Sequence, residues 1–174
     1  MKRFFLIVCL FFFCNNIFSQ NVSNKLIKEY EDTLRVIAEQ IMFAKKESDR
    51  IKANNGFIPI LKEVLSFDKS FKYPFDSLET LAILSPEDKS FRLFNWILRK
   101  DNGTYDYFCL IHYNNKKKKK FEIIELFDKS ETIRNEKFED LDSKNWYGAL
   151  YYDIIYIKKS GRKYYTLLGW DGND

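Results

Sequence analysis

The residues with chemical potential in this chain are few and scattered. Five consecutive lysines, Lys116, Lys117, Lys118, Lys119 and Lys120, could hold a phosphate or another polyanion, because clustered ammonium groups displace its counterions. The simpler reading of the run is a solvated hairpin tip that discourages edge-to-edge pairing. His112 is the one histidine. Without a cysteine partner it cannot complete the usual structural zinc set, and no serine or cysteine is tied to it in a nucleophile–base motif. Its expected role is structural. The carboxylates Asp106, Glu122, Glu125 and Asp153 could serve a hydrolase of envelope polymers, provided two of them converge within about 10 Å in a concave, aromatic-lined pocket. Asp171-Gly172-Asn173-Asp174 resembles the opening of a calcium loop, but no glutamate follows at the spacing such a loop needs, so a tight turn is the expectation. No residue set calls for a cofactor or a metal.

The aromatic side chains carry a different kind of chemistry. With 17 Phe, 11 Tyr and 3 Trp, and with Gly and Pro scarce, a disordered or fibrous chain is excluded. Trp96, Trp146, Trp170 and tyrosines 147, 151, 152, 156, 164 and 165 could build a flat face that stacks on sugars, or could serve as ordinary core. A two-residue period cannot bury both Tyr151 and Tyr152, so some rings must face outward. The candidate binding set is therefore Trp146, Tyr151, Tyr156 and Trp170, with the five lysines.

The elements that position these groups follow from pattern. Residues 145–171 read as two aromatic, β-branched runs around Ser160-Gly161, which is a β-hairpin signal. Upstream, residues 91–98, 105–113 and 121–127 alternate as strands, with Asp101-Asn102-Gly103 and the lysine run as turns. A short strand around Leu81 and Ile83 ends at Ser85-Pro86-Glu87-Asp88; a helix over 76–84 competes with it. Residues 128–144 read as a polar loop, with a helical turn around 138–141. At the front, Ile27, Tyr30, Leu34, Ile37, Ile41, Ala44 and Ile51 share one stripe of a helix over 23–54, roughly 45 Å long, capped by Ser23 and stopped by Asn54-Asn55-Gly56. A second helix over 58–66 starts with Pro59 in its first turn. Residues 67–75 read as an extended link. The expected fold is α+β: a helical hairpin over 21–70, then an antiparallel meander of five or six strands over 75–174, in one domain.

Residues 1–20 read as a secretory signal. Lys2 and Arg3 precede the apolar run of residues 4–13, which is too short to span a bilayer, and Ser19 precedes the cut. A lipid anchor at Cys14 is the alternative, opposed by the bulky Phe13 before it. Removing Lys2 and Arg3 from 29 basic residues leaves 27 against 25 acidic, too balanced to argue for nucleic acid. Cleavage leaves Cys109 as the one thiol, so no intramolecular disulfide forms, and its apolar neighbours predict a buried, inert group. The chain is expected to be exported to the periplasm, outer envelope or outside, with no transmembrane anchor after cleavage.

The segments Ser85-Pro86-Glu87-Asp88-Lys89-Ser90-Phe91-Arg92-Leu93-Phe94-Asn95-Trp96, Trp146-Tyr147-Gly148-Ala149-Leu150-Tyr151-Tyr152 and Tyr164-Tyr165-Thr166-Leu167-Leu168-Gly169-Trp170-Asp171-Gly172-Asn173, with Lys72-Tyr73-Pro74-Phe75-Asp76-Ser77-Leu78, resemble a family of uncharacterised secreted or envelope proteins of Bacteroidetes. The resemblance covers residues 20–174 and implies no activity or catalytic residue. It implies relatives that continue past the last segment, hence a truncated chain with exposed rings at the C-terminal end of the sheet. The function expected is a non-catalytic binding or interaction module of the cell envelope, with another envelope protein or a polysaccharide as partner; the alternative is the hydrolase above.

Overall fold

The computed structural model describes residues 23–134 and 140–173. It opens with α1 (Asn24–Phe43), whose first free N–H groups are met as expected: Ser23 Oγ accepts from Leu26 N at 3.2 Å. The long helix does not reach residue 54. The backbone turns at residues 44–46, and α2 (Glu47–Leu65) then runs straight through Asn54, Asn55, Gly56 and Pro59. The reason is Arg50. Its guanidinium donates to the carbonyls of Ala44 (2.7 Å) and Lys45 (3.1 Å), which the end of α1 leaves open, and also to Arg99 O and Asp101. Nothing in Ala44-Lys45-Lys46 breaks a helix locally; a side chain six residues on does it.

The expected stop at residues 54–56 is therefore an interior turn. Asn54 is buried, and its Oδ1 accepts from Trp96 Nε1 at 2.8 Å. Pro59 lies inside α2, and Ile51, placed on the apolar stripe, is 41% exposed. Glu31, placed by sequence only for its charge, is buried. It accepts from Ser77 N and Tyr73 Oη, each at 2.7 Å, and so fastens the segment after the helices to α1. That segment is not simply extended, because Asp68–Lys72 forms a 3-10 turn. Arg92 holds it by donating to the carbonyls of Ser70, Phe71, Tyr73 and Pro74, while its face lies over the rings of Phe75 and Phe94.

The strands are β1 (Ala82–Leu84), β2 (Phe91–Arg99), β3 (Tyr105–Asn115), β4 (Lys120–Phe127), β5 (Leu150–Lys159) and β6 (Arg162–Trp170). The helix that competed for residues 76–84 gives way to β1. The first four strands form an antiparallel meander in chain order; β5 and β6 form a separate two-stranded ribbon. Of the turn expected over residues 138–141, the first half lies outside the described residues and the rest is irregular.

Three layers result. One face of the meander, with Phe94, Trp96, Leu98 and Leu110, packs on Ile27, Leu34, Phe57 and Leu61 of the helices. The other face, with Leu93, Tyr107 and Cys109, packs under Leu150, Tyr151, Ile154 and Leu167 of the ribbon. Strand β2 is covered on both sides, which explains its nearly unbroken apolar run. Arg92 on the helical side and Asn95 on the ribbon side are its buried polar exceptions. Fully buried, Asn95 donates to Phe108 O (2.8 Å) and Ala149 O (3.1 Å) and accepts from Tyr151 N (2.6 Å), stitching the start of the ribbon to the sheet. Cys109 is buried as expected, and burial pushes its thiol up to about 12, which removes it as a nucleophile.

Two measurements follow from this packing. A Cβ on Gly56 would meet no atom within 4 Å, and its φ is not positive, so Gly56→Ala should raise stability by about 1 kcal/mol in urea denaturation. His112 is fully buried between Phe71 and Phe121, with neither ring nitrogen hydrogen-bonded among the described residues. Burial, helped by Arg92, lowers it to about 4. The unfolded imidazole binds a proton that the folded one refuses, so this stabilisation is complete above the ordinary histidine value and is lost as the pH falls toward 4. Between pH 7 and 4.5 the wild type should lose roughly 2 to 3 kcal/mol more than His112→Leu, read from denaturation at each pH.

Candidate functional site

A half-open groove of about 870 Å³ lies at the end of the meander where β3 begins and β4 ends. Its walls come from the β2–β3 turn, the first residues of β3, the last of β4 and the loop that follows. Three local devices hold it open. Asn173 acts as a strand stub: its amide accepts from Tyr105 N (2.7 Å) and donates to Tyr105 O (2.8 Å). Asp171 accepts from Tyr107 Oη at 2.8 Å and from Asn173 N at 2.9 Å, so the Asp-Gly-Asn segment forms the expected turn and clamps two tyrosines. Burial, reinforced by Asp171, pushes the Tyr107 phenol well above its usual range.

The third device is Asp128. Its two oxygens accept from Tyr107 N, Ser130 N, Ser130 Oγ and Gly148 N. Around it, residues 127–129 exchange backbone bonds with residues 143–146, including Lys129 N to Trp146 O at 2.8 Å. The floor of the groove is thereby tied to the chain that leads into the ribbon. Its rim carries Tyr105, Phe127 (48% exposed) and Tyr147 as rings, and Lys100, Asp106, Glu125, Lys129 and Glu131 as charges. Lys100 lies 2.7 Å from Asp106 and 3.6 Å from Glu131; Glu125 is held at 2.6 Å by Lys62 of α2. The Asp106 hydrogen bond raises the Lys100 ammonium above the ordinary lysine range.

The structure disperses the residues singled out by sequence. Trp146 is buried, and its Nε1 donates to Tyr151 Oη at 2.8 Å, so this pair is core beneath the ribbon. Tyr156 stacks on Tyr165, with ring centroids 5.4 Å apart, on the ribbon face turned toward the sheet. Trp170, 45% exposed, packs edge-to-face with Tyr105 of the groove rim, ring centroids 5.3 Å apart. Lys116, Lys117, Lys118, Lys119 and Lys120 are all exposed at the β3–β4 tip, the opposite end of β3. Glu122 anchors that tip by accepting from Tyr113, Asn115 and Lys118, which together hold its carboxyl well below the usual range.

Of the four proposed catalytic carboxylates, Asp106 and Glu125 line the groove, each held by a lysine. Glu122 belongs to the lysine tip. Asp153 lies on the ribbon, where it accepts from Ile154 N. Of the tryptophans and tyrosines singled out by sequence, Tyr152, Tyr164 and Trp170 are left in solvent, 64%, 50% and 45% exposed. Sequence reasoning missed Asp128 and Gly148, and took Asn173 only as part of a turn; the local signal for Asp128 was Asp128-Lys129-Ser130, an Asx turn at the head of the polar loop.

Among the described residues no helix is long and apolar enough to cross a membrane. Compared with known proteins, the chain matches no family model, no curated protein and no solved structure.

The groove depends on close backbone approach at Gly148. A Cβ there would lie 2.5 Å from Asp128 Oδ2 and 2.7 Å from the Tyr107 ring. Gly148→Ala should cost about 1 to 3 kcal/mol in urea denaturation, the opposite sign to alanine at the unobstructed Gly56.

Proposed function

We propose that this chain is an exported, non-catalytic binding module of the cell envelope, and that the groove holds a saccharide segment of an envelope polymer. The observation that carries the reading is the pairing of groups on the rim. The exposed Phe127 and the half-buried Tyr105 line the same groove as carboxylates already matched to lysines, Asp106 with Lys100 and Glu125 with Lys62. Such pairs offer acceptors and donors side by side, which suits neighbouring hydroxyl groups, while Tyr105 and Phe127 offer apolar surface to a sugar face. The signal-like start of the chain and its resemblance to envelope proteins support the compartment.

One observation favours a second reading, a hydrolase: Asp106 and Glu125 line one groove. Against it, each carboxylate is already engaged by an ammonium group of this chain, Lys100 on Asp106 and Lys62 on Glu125, so neither stands free to act on a glycosidic bond.

A single experiment separates the readings. The protein is titrated with a panel of neutral oligosaccharides, including chitotetraose, maltotetraose and xylotetraose, and followed by tryptophan fluorescence, since Trp170 borders the groove. Binding should weaken about tenfold in Tyr105→Ala and again in Asp106→Asn, with no new reducing ends formed. Binding to none of the panel, or binding that ignores both substitutions, removes the groove reading. Reducing ends that vanish with Asp106→Asn establish the hydrolase instead.

A further inference from the structure

The opposite end of the molecule carries a separate feature. Three connections meet there: the turn between β1 and β2, the β3–β4 tip and the β5–β6 tip. Register and contacts place them together. Asn115 pairs with Lys120 beside the β3–β4 tip, and Phe91, at the start of β2, pairs with Tyr113. Ser90 bonds Tyr165 at 2.9 Å, Phe91 packs edge-on against the same ring, and Asp88 takes Lys163. The 3-10 turn joins them, because Phe71 stacks on Phe121 at 4.6 Å.

Charge is concentrated at this end, although the chain as a whole is nearly balanced. The carboxylates Asp88 and Glu122 are already taken by Lys163 and by Lys118 and Lys120; Asp68 and Glu87 are the others nearby. Lys116, Lys117, Lys119, Lys158, Lys159 and Arg162 are exposed and have no ion-pair partner among the described residues. Two hairpin tips thus present unneutralised cations at the same end of the molecule.

The β5–β6 ribbon adds an apolar component. Ser160 and Gly161 both have positive φ (50° and 76°), the two-residue turn that twists a hairpin tightly, and Lys159 pairs with Arg162 across it. Next along the outer face, Ile157 pairs with Tyr164, 51% and 50% exposed; then comes Ile155, 43% exposed. One face of the ribbon therefore carries a basic pair at its tip and an apolar, tyrosine-bearing band behind it. A soluble polyanion needs only the cations. Bulky apolar groups left in water directly behind a basic tip match a bilayer interface, where anionic headgroups meet the lysines and the tyrosine and isoleucines enter the headgroup–acyl boundary.

We propose that this end of the protein docks on an anionic lipid surface, with the outer face of the β5–β6 ribbon inserted and the β3–β4 lysine tip resting on the headgroups. In that pose the saccharide groove faces away from the bilayer, although the docking does not depend on what the groove binds.

The test is co-sedimentation of the full chain with vesicles of phosphatidylcholine alone or with 30% phosphatidylglycerol. The apolar run of residues 4–13 is common to every variant, so the comparison is the ratio of anionic to neutral partitioning and its change on substitution. The ratio should be well above one. Replacing Lys158, Lys159 and Arg162 with Gln should lower partitioning to anionic vesicles about a hundredfold, and Ile157→Ser with Tyr164→Ser about tenfold. Unchanged circular dichroism shows that these exposed substitutions leave the fold intact. A ratio near one overturns the proposal. So does a result in which the charge variant releases both heparin and vesicles while the Ile157→Ser, Tyr164→Ser variant holds vesicles as tightly as wild type, because the surface would then be a plain polyanion site.

Discussion

Everything on the ribbon side of the sheet depends on one buried carboxamide. A strand covered on both faces has little room for polar atoms, and each one it keeps must be matched. Asn95 sits at the middle of β2 and uses both ends of its amide across the layer boundary, donating to Phe108 O and Ala149 O and accepting from Tyr151 N. These bonds place the first residues of β5 over the sheet, although β5 pairs with none of its strands. Trp146 and Tyr151 then close beneath the ribbon, and Ile154 and Leu167 complete the second core. Three residues earlier on the same strand, and so on the opposite face, Arg92 does the corresponding work on the helical side, gathering the backbone carbonyls of Ser70, Phe71, Tyr73 and Pro74 in and just after the short 3-10 turn. Thus β2 carries the contacts to both neighbouring layers.

This arrangement divides the surface into two ends of different character. At one, carboxylates predominate but are spent: Asp128 and Asp171 on backbone and phenol donors, Asp106 and Glu125 on lysines. Bound in this way they hold shape and offer hydrogen-bond acceptors. At the other end the carboxylates Asp88 and Glu122 engage only some of the lysines around them, and burial of Asp88 is outweighed by its bonds from Lys163, Ser90 and Tyr165, which hold it well below the usual range. The excess positive charge is left on the hairpin tips, where no packing constrains it. A nearly neutral composition therefore conceals a strongly uneven molecule.

Several features were legible from local pattern. Alternation along residues 91–98, 105–113 and 121–127, and turn chemistry at Asp101-Asn102-Gly103 and Ser160-Gly161, mark strands and hairpins because each depends on residues within four or five positions. Ser23 as a cap and Cys109 as a buried thiol follow for the same reason. The break at residues 44–46 was not legible, because Ala44, Lys45 and Lys46 all favour helix and the interrupting group is the distant Arg50. Asn54, Asn55 and Gly56 looked like a stop, since nothing local reveals that Trp96 would reward burying Asn54 inside a helix. Which rings of the candidate set are covered was not legible either. Trp146, Tyr151 and Tyr156 have the composition of an exposed aromatic face, but which rings are covered depends on how the ribbon lies, and Asn95 sets that from fifty residues away.

What the sequence alone determined is the class of architecture: helices first, then antiparallel strands, with outward-facing rings required wherever adjacent tyrosines share a strand. These are consequences of period and propensity, which act over a few residues. Tertiary structure decided that β5 and β6 leave the meander to form a third layer, that Asp106 and Glu125 share a groove while Glu122 and Asp153 do not, and that two basic tips lie at one end. Such outcomes rest on contacts between residues far apart in the chain, and each is settled by buried polar groups, Arg50, Arg92, Asn95 and Asp128, whose partners no local pattern names.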